Sequence, residues 1–170
     1  GLTPIIEYQA HVGGVGWQEY MENGDLAGSS NYKNSLEALK MMVANQGDIA
    51  GSIEYQAHVG GIGWQNYVGT NQIAGTTGQS KSIEALRVRL TGELANKYDI
   101  YYRVYMENVG WLDWASNDQI AGSVGYGEAL KALEMKLVEK GKPAPGDTTN
   151  PNMIKPITIM YQSYIAKDGW

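Results

Sequence analysis

The chain repeats itself. Residues 6–17 read IEYQAHVGGVGW, residues 53–64 read IEYQAHVGGIGW, and a looser copy, IYYRVYMENVGW, occupies 100–111. A fourth start, IMYQSYIAKDGW, falls at 159–170. The Gly-Trp pairs set Trp17, Trp64 and Trp111 at intervals of 47 residues, and Trp170 follows after 59. The phase holds through each unit: Tyr8, Tyr55, Tyr102 and Tyr161 precede the four Trp by nine residues. Ala-Gly-Ser/Thr follows the first three Trp at 27–29, 74–76 and 121–123, and then Ala38-Leu39, Ala85-Leu86 and Ala132-Leu133. A unit this short cannot bury an apolar face alone, so neighbouring units must share one core.

The units divide the chain into repeat one (4–52), repeat two (53–99) and repeat three (100–140). A Pro-, Gly- and Asn-rich linker spans 141–156. The final stretch, 157–170, is either the first strand of a fourth repeat or a strand that closes the fold over an open edge. Ending on the motif Trp, it reads as the start of a further unit in a longer array.

Within each unit the first segment alternates with period two. Ile53, Tyr55, Ala57 and Val59 share one face, and Glu54, Gln56 and His58 share the other. A second short strand is expected over 64–68. The Glu-Ala-Leu segment favours helix by composition. However, Leu86, Val88 and Leu90 alternate with Arg87 and Arg89, which makes it a strand, with a helical turn possible at 92–97. The expected fold is all-β, a pseudo-threefold closed repeat architecture of β-prism type, with a β-trefoil as the alternative.

Composition narrows function by exclusion. Thirteen basic residues scattered among 18 acidic ones, net charge −5, offer no footprint for nucleic acid. No apolar run approaches the ~20 residues of a membrane-spanning helix. Without Cys there are no disulfides, thiolate metal sites or Cys nucleophiles. The two His occupy equivalent repeat positions, and no triad, phosphate loop or metal-ligand cluster stands out, so neither enzyme activity nor a cofactor is expected.

Candidate binding residues lie on the polar face of the first strand and around the second. Gln9, His11, Gln56, His58, Arg103 and Tyr105 present a row of hydrogen-bonding groups suited to a hydroxyl-rich ligand, although an ordinary solvated face looks the same. Tyr20, Tyr67 and Trp114, beside Gln18, Gln65 and Leu112, are candidate stacking platforms for a sugar ring. Trp17, Trp64, Trp111 and Trp170 are expected in the core, knitting units together. That would turn the aromatics three positions later outward, unless a bulge reverses the parity. The Ala-Gly-Ser/Thr element reads as a tight turn or close backbone approach.

The pattern Y-x-x-H-V-x-x-x-G-W, then A-G-T/S, then E-A-L-x-V-x-L resembles the clostridial hydrophobic repeat with conserved Trp, the ChW repeat. Repeat two fits best, whereas Tyr105 and Lys131 replace the His and Glu in repeat three. The resemblance implies a secreted or cell-surface protein of a Gram-positive bacterium. The implied role is a lectin-like, multivalent binding module whose partner is a glycan or cell-wall polymer. A protein–protein adhesion or spacer module that contacts a surface protein is the alternative.

Overall fold

A computed structural model describes residues 2–154; Tyr161, Trp170 and the expected terminal strand lie outside them. Repeat one contains β1 (Ile5–Val12), β2 (Gly16–Trp17), β3 (Met21–Glu22), β4 (Ala27–Gly28) and β5 (Leu36–Ala44). Repeat two contains β6 (Ile53–Val59), β7 (Gly63–Trp64), β8 (Val68–Gly69), β9 (Ala74–Gly75) and β10 (Ile83–Leu90). After the helical turn α1 (Gly92–Lys97), repeat three contains β11 (Tyr98–Met106), β12 (Gly110–Trp111), β13 (Ala115–Ser116), β14 (Ala121–Ser123) and β15 (Leu130–Glu139). The short β16 (Asn152–Met153) follows.

The Glu-Ala-Leu segments are strands and the turn at 92–97 is helical, so the alternation of Leu and Val outweighs helix propensity. The expected strand over 64–68 is instead two fragments, β7 and β8, split by irregular chain.

Each unit is an antiparallel pair of long strands, β1 with β5, β6 with β10 and β11 with β15. The inner faces of these pairs supply the core. Ile6, Tyr8, Ala10 and Val12 of β1 are all buried, as are their equivalents on β6 and β11.

The units are completed by exchange. Strand β9 of repeat two pairs with β5 of repeat one, β14 of repeat three with β10 of repeat two, and β4 of repeat one with β15 of repeat three. Among the described residues three sheets result, none closed on itself, and every unit lends a strand to one neighbour and borrows from the other.

The lending depends on glycine. Gly28, Gly75 and Gly122 have φ of 112°, 92° and 113°. A Cβ there would stand 2.6, 2.3 and 2.4 Å from the carbonyl oxygens of Lys131, Glu37 and Glu84. The Ala-Gly-Ser/Thr element thus needs both the positive φ and the close approach, which only glycine supplies.

Candidate functional site

Two bulges in each unit decide what its outer face carries. His11 pairs with Ala38 but Val12 with Leu36, so Glu37 is the extra residue on β5. A bulged residue is re-aimed, and here its Oε1 lies 3.1 Å from His11 Nδ1. Repeat two does the same, with His58 Nδ1 3.0 Å from Glu84 Oε1. Both contacts lack the alignment of a hydrogen bond. In repeat three the bulged residue is Lys131, whose buried Nζ turns to the neighbouring loop and bonds Lys33 O (3.1 Å) and Ser35 Oγ (3.0 Å).

The second bulge falls between the short strands. Trp17 pairs with His11 while Met21 pairs with Tyr8, leaving residues 18–20 opposite only Gln9 and Ala10. Partners directly opposite in an antiparallel pair share a face. Trp17 therefore lies on the polar side with His11, and the inward slot opposite Val12 is taken by Gly16.

This corrects the expectation for the motif Trp. Trp17, Trp64 and Trp111 are half-buried and outside the core. His11, His58 and Tyr105 meet them edge-on, with ring centroids 5.2, 5.3 and 5.7 Å apart. Lys40 Nζ sits 4.6 Å over Trp17, and the Arg103 guanidinium 4.4 Å over Trp111. The bulge also keeps Tyr20 outward, so both aromatics of the unit share the outer side.

Tyr20 is exposed, and its hydroxyl donates to Asn71 Oδ1 of the next repeat (2.7 Å). The Tyr67 hydroxyl donates to Asp118 of the repeat after, and the Arg89 guanidinium covers its ring at 3.7 Å. Burial pushes both phenols up; Glu7 adds to this at Tyr20, and the hydrogen bond to Asp118 at Tyr67. Trp114 differs: it is buried, with the Arg103 guanidinium 5.1 Å from the centroid of its ring.

The glutamines serve the fold. Gln9 and Gln56 donate to the carbonyls of Gln18 (2.8 Å) and Gln65 (2.7 Å). The carboxamide of Gln18 donates to Gly28 O and accepts from Gly28 N, both at 2.9 Å. Gln65 treats Gly75 likewise, at 3.2 and 2.7 Å. Since the Gln18 and Gln65 amides bond β1 and β6, each side chain sews its own sheet to the edge of the next. Nothing in the residues next to Gln18 announces this role, because Gly28 comes to it only through the exchange.

Repeat three has a single aromatic cluster. Tyr32, held at φ 60°, reaches across from repeat one and stacks on Tyr105 with centroids 3.9 Å apart and planes 5° from parallel. Trp111 meets Tyr32 edge-on at 6.2 Å. Arg103 is paired with Glu134 (2.6 Å) and lies between Trp111 and Trp114. Tyr32 escapes sequence reasoning, since its partners belong to a repeat about seventy residues away.

The outer faces of repeats one and two therefore offer half-exposed Trp and Tyr rings, with Lys40 over Trp17 in one and Arg89 over Tyr67 in the other. A family model described as ChW, clostridial hydrophobic W, matches residues 11–45, 58–92 and 105–139, more than half of the chain. The chain belongs to this family. Each ChW match begins at the His11, His58 or Tyr105 position and ends with the unit's last long strand, so it contains both bulges and the lent strand. Membership suggests a repeat module of a bacterial surface protein. No curated protein and no solved structure matches the chain. Among the described residues, no helix is long and apolar enough to cross a membrane.

Proposed function

We propose that the chain is a non-catalytic, multivalent carbohydrate- or cell-surface-binding module of a secreted or wall-associated protein. Its three sheets would be arranged like a β-prism around a pseudo-threefold axis, and the cyclic exchange of strands supports that arrangement over a trefoil. The observation that carries the binding reading is the outward aim of Trp17 and Trp64. Aromatic rings left half-exposed on a polar sheet face suit the C–H face of a sugar, and the Lys40 ammonium beside Trp17 suits its hydroxyls. Weak sites repeated on one chain gain apparent affinity through effective concentration.

The test is retention on purified cell-wall polymers and on a glycan array. Trp17→Ala with Trp64→Ala should abolish retention while the melting temperature falls by only a few degrees, as expected for half-exposed rings. Unchanged retention by a folded double variant would sink the proposal. Substituting Trp114 confounds such a test, because that ring is buried.

One observation favours the second reading, a protein-contact module. Val15, Ile62 and Val109, equivalent residues at the three hairpin tips, are each about half exposed or more, at 62%, 47% and 47%. An apolar residue presented by every unit suits contact with a partner protein. Glutamate at these three positions would then abolish partner capture and leave polymer retention intact.

A further inference from the structure

The seams between sheets are sealed in two ways. Gln18 and Gln65 seal the first two by side chain, but the third copy has Leu112, which offers no hydrogen-bonding group. There Gly122 N donates to Pro151 O (3.1 Å), and β16 runs parallel to β14, with Gly122 beside Asn152 and Ser123 beside Met153. The same segment crosses the outer side of repeat three. Asp113 N donates to Asn150 O (3.2 Å), Asn150 N to Asp113 Oδ2 (2.8 Å) and Trp114 N to Asp147 O (2.9 Å). Asp147 is folded into a turn by the Thr149 amide and hydroxyl, at 3.0 and 2.6 Å. Gly146 lies so close to the Trp114 ring that a Cβ there would stand 2.9 Å from Nε1. Trp114 is consequently 7% exposed, whereas Tyr20, its equivalent in repeat one, is 38% exposed.

We infer that residues 146–153 form a strap that masks the aromatic platform of repeat three, so that the chain presents two open faces and one latent face. The latent face rests on the binding reading above; the strap itself does not. Leu112 makes the arrangement necessary, because an unsealed Gly122 amide at the third seam needs a backbone acceptor. The strap is held by a few hydrogen bonds to backbone and to one carboxylate, only Met153 at its end packs against the core, and the preceding Lys140–Pro143 stretch is exposed. The 146–150 part can therefore lift from Trp114 while Met153 keeps its place against the core.

The experiment uses the full chain carrying Leu112→Gln, which supplies the missing carboxamide, and Gly146→Val, which drives a side chain against Trp114. Trp114 oxidation by N-bromosuccinimide should accelerate about tenfold or more with the fold retained, as expected for a locally opened segment. Oligosaccharides released from whichever wall polymer retains the wild-type chain should then titrate to three equivalents instead of two. Unaltered Trp114 reactivity would overturn the strap. Faster oxidation with the stoichiometry still at two would overturn the latent face. If the wild-type chain retains no polymer, the binding reading and the latent face fall together, while Trp114 reactivity still decides the strap. Gly146→Val alone, which leaves every core side chain in place, serves if the double variant loses its fold.

Discussion

At the residue scale, the inward tyrosines show how a polar atom can sit in an apolar core. The hydroxyls of Tyr8, Tyr55 and Tyr102 donate to the carbonyls of Asp25, Gln72 and Gln119. Burial, which disfavours the phenolate, raises all three above the ordinary value of 10.0, and Tyr55 is pushed up to about 12. Because the folded value exceeds the unfolded one, the stability linked to these groups is fully present below pH 10 and is lost as pH rises through the folded values. Absorbance at 295 nm during alkaline titration should therefore show the exposed tyrosines ionising first. A later cooperative step should follow as the fold opens. A single smooth titration of all tyrosines near pH 10 would contradict it.

At the element scale, the short pieces between the long strands determine the chemistry. The Gln65 carboxamide forms two hydrogen bonds with Gly75 across a sheet boundary. Gln65→Ala should cost about 1–3 kcal/mol, since it leaves the Gly75 backbone groups without their partner. Gln65→Leu should cost a similar amount, because no strap covers that seam as it does at Leu112. Denaturant unfolding measures both. Much at this scale is legible in the sequence. The 47-residue phase, the inward row through Tyr55, the strand at Ile83–Leu90 and the special role of Gly75 follow from periodicity and from glycine's backbone freedom. The outward aim of Trp17 does not. It follows from the hairpin register that pairs Trp17 with His11, and the extra residue among Gln18, Glu19 and Tyr20 that keeps Tyr20 on the same side leaves no mark on a period-two pattern. The strap is hidden for a similar reason: GDTTNPNM has a linker's composition, and only the place of Leu112 opposite the third seam gives it a strand's task.

At the scale of the whole molecule, repeats one and two are so alike that strand lending alone would leave the order of partners ambiguous. Repeat three breaks the degeneracy. Tyr105 and Lys131 stand where the other units have His and Glu, and they receive the loop of repeat one through the Tyr32 stack and the Lys33 carbonyl. A strand that instead brought Tyr32 to His11 and Glu37 would meet neither partner. A double-mutant cycle of Tyr32→Ala and Tyr105→Ala should give a coupling of about 1 kcal/mol, the usual worth of a stacked pair beyond area burial. Near-zero coupling would place the specificity elsewhere.

The pairing of β4 with β15 also imposes a timetable. Ala27 and Gly28 find their partners only at Leu133 and Ala132, more than a hundred residues later in the chain. A nascent chain that has completed repeats one and two still has β4 unpaired, and the sheet of repeat two still lacks the edge that β14 will bring. Native assembly of these three units waits on repeat three to leave the ribosome. Until then the chain carries exposed strand edges of the kind that invite pairing with another copy, and the interval lengthens as synthesis slows.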